Sequence, residues 1–147
     1  RLEKNGFRQN SMENAFTLII GIILLSLGFL HMYWGFFGIK HPEKVLPRPK
    51  DQEQVALPGK TATFLVGSVL LLFALLFIAK LFNLIVADWL VYAHIFIGLL
   101  FLARAVGDFR HIGFFKTIKD TPFAKMDNRY YSPLCLLVAI LIAISLQ

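Results

Sequence analysis

Four long apolar runs alternate with short polar segments along the chain. They cover roughly residues 14–38, 61–80, 86–108 and 131–147. Each is near the ~20 residues that carry a helix across about 30 Å of hydrocarbon. The pattern predicts an all-α polytopic membrane protein, a bundle of four transmembrane helices in a single domain over 12–147. Residues 1–11, RLEKNGFRQNS, differ in character from the rest of the chain and read as an expression or fusion remnant ahead of Met12.

Local signals refine the limits. Ser132 before Pro133 reads as an N-cap followed by an N1 proline for the fourth helix. Thr121 before Pro122 repeats the pattern and predicts a short surface helix in the third loop. Asp88 falls in the first turn of the third helix, where the helix dipole favours an anion. The first loop holds Pro42, Pro47, Pro49 and Pro58 and is expected to be extended. The third loop mixes Phe114, Phe115, Ile118 and Phe123 with lysines, which suits an interfacial segment in the headgroup layer.

Composition agrees with the pattern. The 147 residues are 57% hydrophobic, with a mean hydropathy of +0.66, too apolar for an ordinary soluble domain. The net charge of +6 flanks the apolar runs and accompanies no reading module, so nucleic acid is not an expected partner. Lys40, Lys44, Arg48, Lys50 and Lys60 in loop 1, with Arg104, Arg110, Lys116, Lys119, Lys125 and Arg129 around loop 3, stand against Lys80 on the other side. With residues 1–11 set aside, eleven against one predicts loops 1 and 3 in the cytoplasm and both termini outside. The single cysteine, Cys135, excludes an intrachain disulfide and reads as a small interface residue.

Candidate chemistry lies at the basic ends of the helices. Gly21, Gly28 and Gly35 recur every seven residues on helix 1 and share a stripe with Thr17 and His31. At about 100° per residue, His94, Phe101, Arg104, Asp108 and His111 share one side of helix 3, with Arg104 and Asp108 one turn apart and able to pair. The ends of helices 1 and 3 and the start of helix 4 then deliver His31, Tyr33, Trp34, Arg104, Asp108, Arg110, Asp127, Arg129, Tyr130 and Tyr131 to one level. Helix 2 is almost devoid of polar groups and is expected to serve as scaffold. The stretch from Arg110 onward, with Lys116 and Lys119, reads as an interfacial anchor.

Three strings carry a resemblance: HMYWGFFG at 31–38, RAVGDFRHIGFFK at 104–116 and TPFAKMDNRYYSPLC at 121–135. They resemble the small bacterial membrane proteins grouped as domain of unknown function 3995, over essentially all of 12–147. The resemblance implies four transmembrane helices in a bacterial inner membrane and brings no catalytic role.

The residues support a polar, arginine-rich pocket at the basic end. Its expected ligand is an anionic lipid headgroup or a small acidic metabolite, since guanidinium forks suit such anions. Tyr33, Trp34, Arg104, Asp108, Arg110, Arg129, Tyr130 and Tyr131 are its expected ligand-binding residues. One alternative is a small membrane enzyme with His31 and Asp108 as acid and base on a lipid-like substrate. Another is a structural or partner-binding membrane subunit. Membrane lipids are the expected surroundings, and a homo-oligomer or membrane partner is left open. No metal and no cofactor is expected: the pairs His31/His41 and His94/His111 are too widely spaced for a compact metal cluster, and His31 and His94 differ too much in depth to share one haem. Proton-coupled export is not expected either, since no Asp or Glu lies midway along a helix to relay protons.

Overall fold

The computed structural model describes residues 2–47 and 57–146, with side chains from residue 11 onward. Arg48, Pro49 and Lys50 of loop 1 lie outside the described residues. The regular elements of the described chain are all helical: α1 Leu2–Phe37, α2 Pro42–Val45, α3 Lys60–Leu81, α4 Trp89–Val106, α5 Pro122–Met126, a π-helical turn Asp127–Tyr131, and α6 Ser132–Ile144. Four stretches are long and apolar enough to span a membrane: Ser11–Phe37, Lys60–Leu81, Trp89–Val106 and Pro122–Ile144. The protein is an integral membrane protein.

The helices form a closed ring of contacts. α1 packs along α3 and α4 along α6, while α1 meets α6 and α3 meets α4. Ile20, Leu24, Ala74, Phe77, Ile97, Phe101, Val138 and Ile142 fill the middle. Outward positions are equally apolar: Leu72 is 55% exposed and Phe96 58%. A helix hydrophobic all round is what lipid requires, because no water is available to favour a polar outer face.

The glycine stripe of α1 faces α3 inside the bundle. A Cβ on Gly28 would stand 2.7 Å from the Leu71 side chain, and one on Gly67 would stand 3.2 Å from the Gly28 carbonyl oxygen. The two backbones therefore approach as closely as they do only because both positions lack a side chain.

Three expected boundaries move. First, α1 is one helix back to Leu2. Second, loop 1 is not wholly extended: Pro42 at the first helical position and Glu43 in the first turn start the short α2. Third, Ser132 is no N-cap. Its φ and ψ of −66° and −43° are helical, and its N–H reaches the Asp127 carbonyl five residues back. The fourth span begins at Thr121, whose hydroxyl accepts from the Ala124 N–H at 3.1 Å. It runs through the π turn into α6. The turn widens directly ahead of Pro133, which cannot donate to the carbonyl four residues back. The expected surface helix after Thr121 is thus the first turn of the span, and its Phe123 is buried, not interfacial.

At the end away from loops 1 and 3, Lys80 is a structural tie. Its ammonium donates to the Ser145 carbonyl at the end of α6 at 2.7 Å and pairs with Glu13 of α1 at 2.9 Å. A cation at a helix C-terminus satisfies carbonyls that the helix leaves free. Three helices are joined there by one side chain.

Candidate functional site

The basic end is organised by Asp127, which is fully buried on the π turn. Its Oδ1 accepts from Arg104 Nη2 at 2.9 Å. Its Oδ2 accepts from the Gly113 N–H at 2.9 Å and from Lys116 Nζ at 2.8 Å. The Lys116 ammonium, also fully enclosed, donates further to the Gly113 carbonyl at 2.8 Å and to Asn128 Oδ1. Lys116 is therefore no headgroup anchor: a buried ammonium is tolerated because every proton has an acceptor.

This knot requires the loop GDFRHIG to fold back on α4. Gly107 and Gly113 have φ of +87° and +85°. A Cβ on Gly107 would lie 1.8 Å from the Ile112 carbonyl oxygen, and one on Gly113 would lie 2.2 Å from that of Val106. Only glycine fits at either place. The Phe114 N–H closes the loop on the Ala105 carbonyl at 2.9 Å.

Asp108 belongs to the loop and does not pair with Arg104. Its Oδ1 accepts from the N–H groups of Arg110, His111 and Ile112 at 2.9, 2.6 and 2.9 Å, and Oδ2 stands 3.5 Å from His111 Nδ1. Slight desolvation raises its pKa, but these three backbone donors outweigh it, with help from His111, and hold it at about 2. Gly107 breaks α4 between the two residues, so the expected one-turn pairing geometry is lost. Asp127, brought in by the π turn, takes the arginine instead.

Two adjoining cavities of about 320 and 240 Å³ open beside the knot. His31, Trp34, Val45 and Arg104 line both. The first continues past Ile39, Leu46, Pro58 and Thr63, and reaches Ile112 and Phe123. The second runs between the helices along Leu27, Leu70, Phe101, Leu134 and Cys135, with Tyr131 at its edge. Their walls are mainly apolar, with a few polar groups, unlike the arginine-rich pocket expected. The nearly apolar α3 is more than scaffold, since Thr63, Val66 and Leu70 supply part of the wall.

Of the expected site residues, His31, Trp34, Arg104 and Tyr131 meet at these cavities. His31 Nδ1 donates to the Leu27 carbonyl at 2.8 Å. Tyr131 donates from its hydroxyl to the Lys44 carbonyl at 3.2 Å, tying the π turn to α2. Tyr33, Arg110, Arg129 and Tyr130 are not among the lining residues. Tyr33 stacks on Phe37 at 4.9 Å and is exposed. Arg129 lies over the Tyr130 ring at 5.3 Å, both exposed. Neighbours along a helix point about 100° apart, so Trp34 and Tyr131 turn inward while Tyr33 and Tyr130 turn out.

The electrostatics of the knot are unbalanced. One carboxylate, Asp127, faces two cations, Arg104 and Lys116. Among the described residues Arg104 bonds only through Nη2, and its Nη1 is enclosed without a partner. Among the described residues no three His, Cys, Asp or Glu side chains gather closely enough to hold a metal ion.

A family model described as "Protein of unknown function (DUF3995)" matches residues 24–142. The chain belongs to this family. The match takes in the Arg104 end of α4, the GDFRHIG loop, Lys116 and the Asp127 turn. In this DUF3995 protein, then, the strings that carried the resemblance converge on the knot and the adjoining cavities. No curated protein and no solved structure matches the chain.

Proposed function

We propose that this chain is a membrane-embedded binding protein for an anion, a headgroup or small acidic metabolite seated at Arg104 between His31 and Trp34. The observation that carries the reading is the unbalanced knot at the cavity wall. Two cations share one carboxylate, and the Arg104 side chain, 34% exposed, lines a largely apolar space with its enclosed Nη1 unpartnered. In a low-dielectric setting an excess positive charge attracts an anion far more strongly than it does in water. A guanidinium fork is shaped for carboxylate or phosphate oxygens. Trp34 and Tyr131 supply flat apolar walls, and Thr63 a hydroxyl. The Lys and Arg excess at this end supports placing it at the cytoplasmic face of a bacterial inner membrane.

Native mass spectrometry of protein gently extracted in neutral detergent tests the reading. Wild type should retain an anionic adduct, Arg104→Gln should lose it, and Arg110→Gln, altered on the exposed loop, should keep it. An adduct-free wild type, or the same adduct in Arg104→Gln, contradicts the proposal.

A second reading has one supporting observation: His31 lines the same cavities with its Nδ1 tied to the Leu27 carbonyl, an imidazole placed where a general base could act. Asp108, saturated by backbone donors outside the lining, would not be its partner. Unchanged lipid profiles in cells carrying His31→Gln would remove this reading.

A further inference from the structure

The cavities lie on the two sides of a shared junction, and their walls differ. The junction holds Arg104, His31 and Trp34. The first cavity leads from it towards loop 1 and Thr63. The second leads into the bundle along Leu27, Leu70, Phe101 and Leu134, one or more side chains from each of the four long helices. Its volume of about 240 Å³ falls below the roughly 300–1,000 Å³ of sites for drug-sized ligands. A hydrated anion such as inorganic phosphate has no use for such a chamber, because apolar walls offer it no hydrogen bonds. A hydrocarbon chain does, since each methylene it buries is removed from water. The chamber is too small for two acyl chains and suits part of one.

Resting on the anion reading above, we infer that the ligand is a single-chain anionic amphiphile, an alkyl or prenyl phosphate or carboxylate. Its headgroup sits on Arg104 and the first part of its chain lies in the chamber between Leu27, Leu70, Phe101 and Leu134. The headgroup enters from the basic end, where the Tyr131 hydroxyl holds the Lys44 carbonyl.

The test uses the whole protein in phosphatidylcholine nanodiscs. The chain has two tryptophans, so a Trp89→Phe background leaves Trp34 at the junction as the sole reporter. Inorganic phosphate, then ethyl, butyl, hexyl and octyl phosphate, are titrated while Trp34 emission is read against the free aqueous concentration. Octanol serves as the uncharged control. Affinity should rise about fourfold per methylene along the series. Leu70→Phe and Leu134→Phe, each filling the chamber, should weaken octyl phosphate at least about tenfold and leave ethyl phosphate unchanged. Two substitutions on different helices guard against one that misfolds, and circular dichroism reports the fold of each. Equal affinity for ethyl and octyl phosphate, or indifference of octyl phosphate to both fillings, overturns the chain while leaving the anion reading in place. Octanol binding as well as octyl phosphate overturns both, as does a Trp34 signal that no member of the series changes.

Discussion

Asp127→Asn is the substitution to which the basic end should be most sensitive. The carboxylate accepts from Arg104, Lys116 and the Gly113 N–H at 2.8–2.9 Å, in a place that water does not reach. The amide keeps the shape but replaces one acceptor oxygen by a donor, which must then face an ammonium, a guanidinium or a backbone N–H. Two cations lose their only counter-charge within the knot. Breaking a buried ion pair from one side costs about 3–5 kcal/mol, so the folded-to-unfolded ratio should fall roughly a hundred- to several thousand-fold. The same physics makes a second variant informative. Lys116→Met together with Asp127→Asn removes one of the stranded cations, so the pair should cost less than the sum of its parts by more than about 1 kcal/mol. Unfolding is followed by circular dichroism during SDS titration in neutral mixed micelles. A loss below about 1 kcal/mol for Asp127→Asn, or strict additivity in the double variant, would refute the description of the knot.

Other parts of the molecule carry expectations of their own. Asp108 is held at about 2 against an ordinary 3.8, so its folded pKa is depressed. The stability it lends the loop is present above the ordinary value and is lost as pH falls from about 4 towards 2. Carboxyl carbon shifts of Asp108 should titrate near 2, and a midpoint near 4 would contradict the three backbone bonds. Gly67→Val should force α1 from α3 and cost about 1–3 kcal/mol by overpacking in the same SDS titration, and a neutral effect would mean that the seam is looser than 3.2 Å implies. Thr121→Ala should cost about 1 kcal/mol and raise amide exchange at Ala124, whose N–H loses its acceptor. Unaltered exchange there would argue against the cap.

Much of the fold is legible in the hydrophobic pattern, because lipid forces spans of about the right length to be apolar all round. What the pattern leaves out is what the polar residues do for one another. Arg104 and Asp108 invite pairing by their spacing, yet Gly107 ends the helix between them and the aspartate turns to three N–H groups of its own loop. The true partner, Asp127, stands 23 positions away from Arg104, and no helical period links the two. Lys116 looks like one more headgroup lysine because charge alone does not reveal burial. The SP pair at 132–133 has the form of a helix start, and proline also tolerates a widened turn inside a helix. The one signal of the knot in the sequence is the pair Gly107 and Gly113 bracketing a polar loop, since glycine at both ends permits the chain to fold back on itself. Tyr33 and Tyr130 cannot be told from Trp34 and Tyr131 until packing fixes the helix phases.

The central claim is that Arg104 receives an anion, and a density map at the junction tests it most directly. Protein purified in neutral detergent from its native membrane should show a feature with an oxygen about 3 Å from the Arg104 guanidinium, continuing between His31 and Trp34. A junction filled by protein side chains, with Arg104 bonded only to Asp127 and no other group within hydrogen-bond distance, would contradict it.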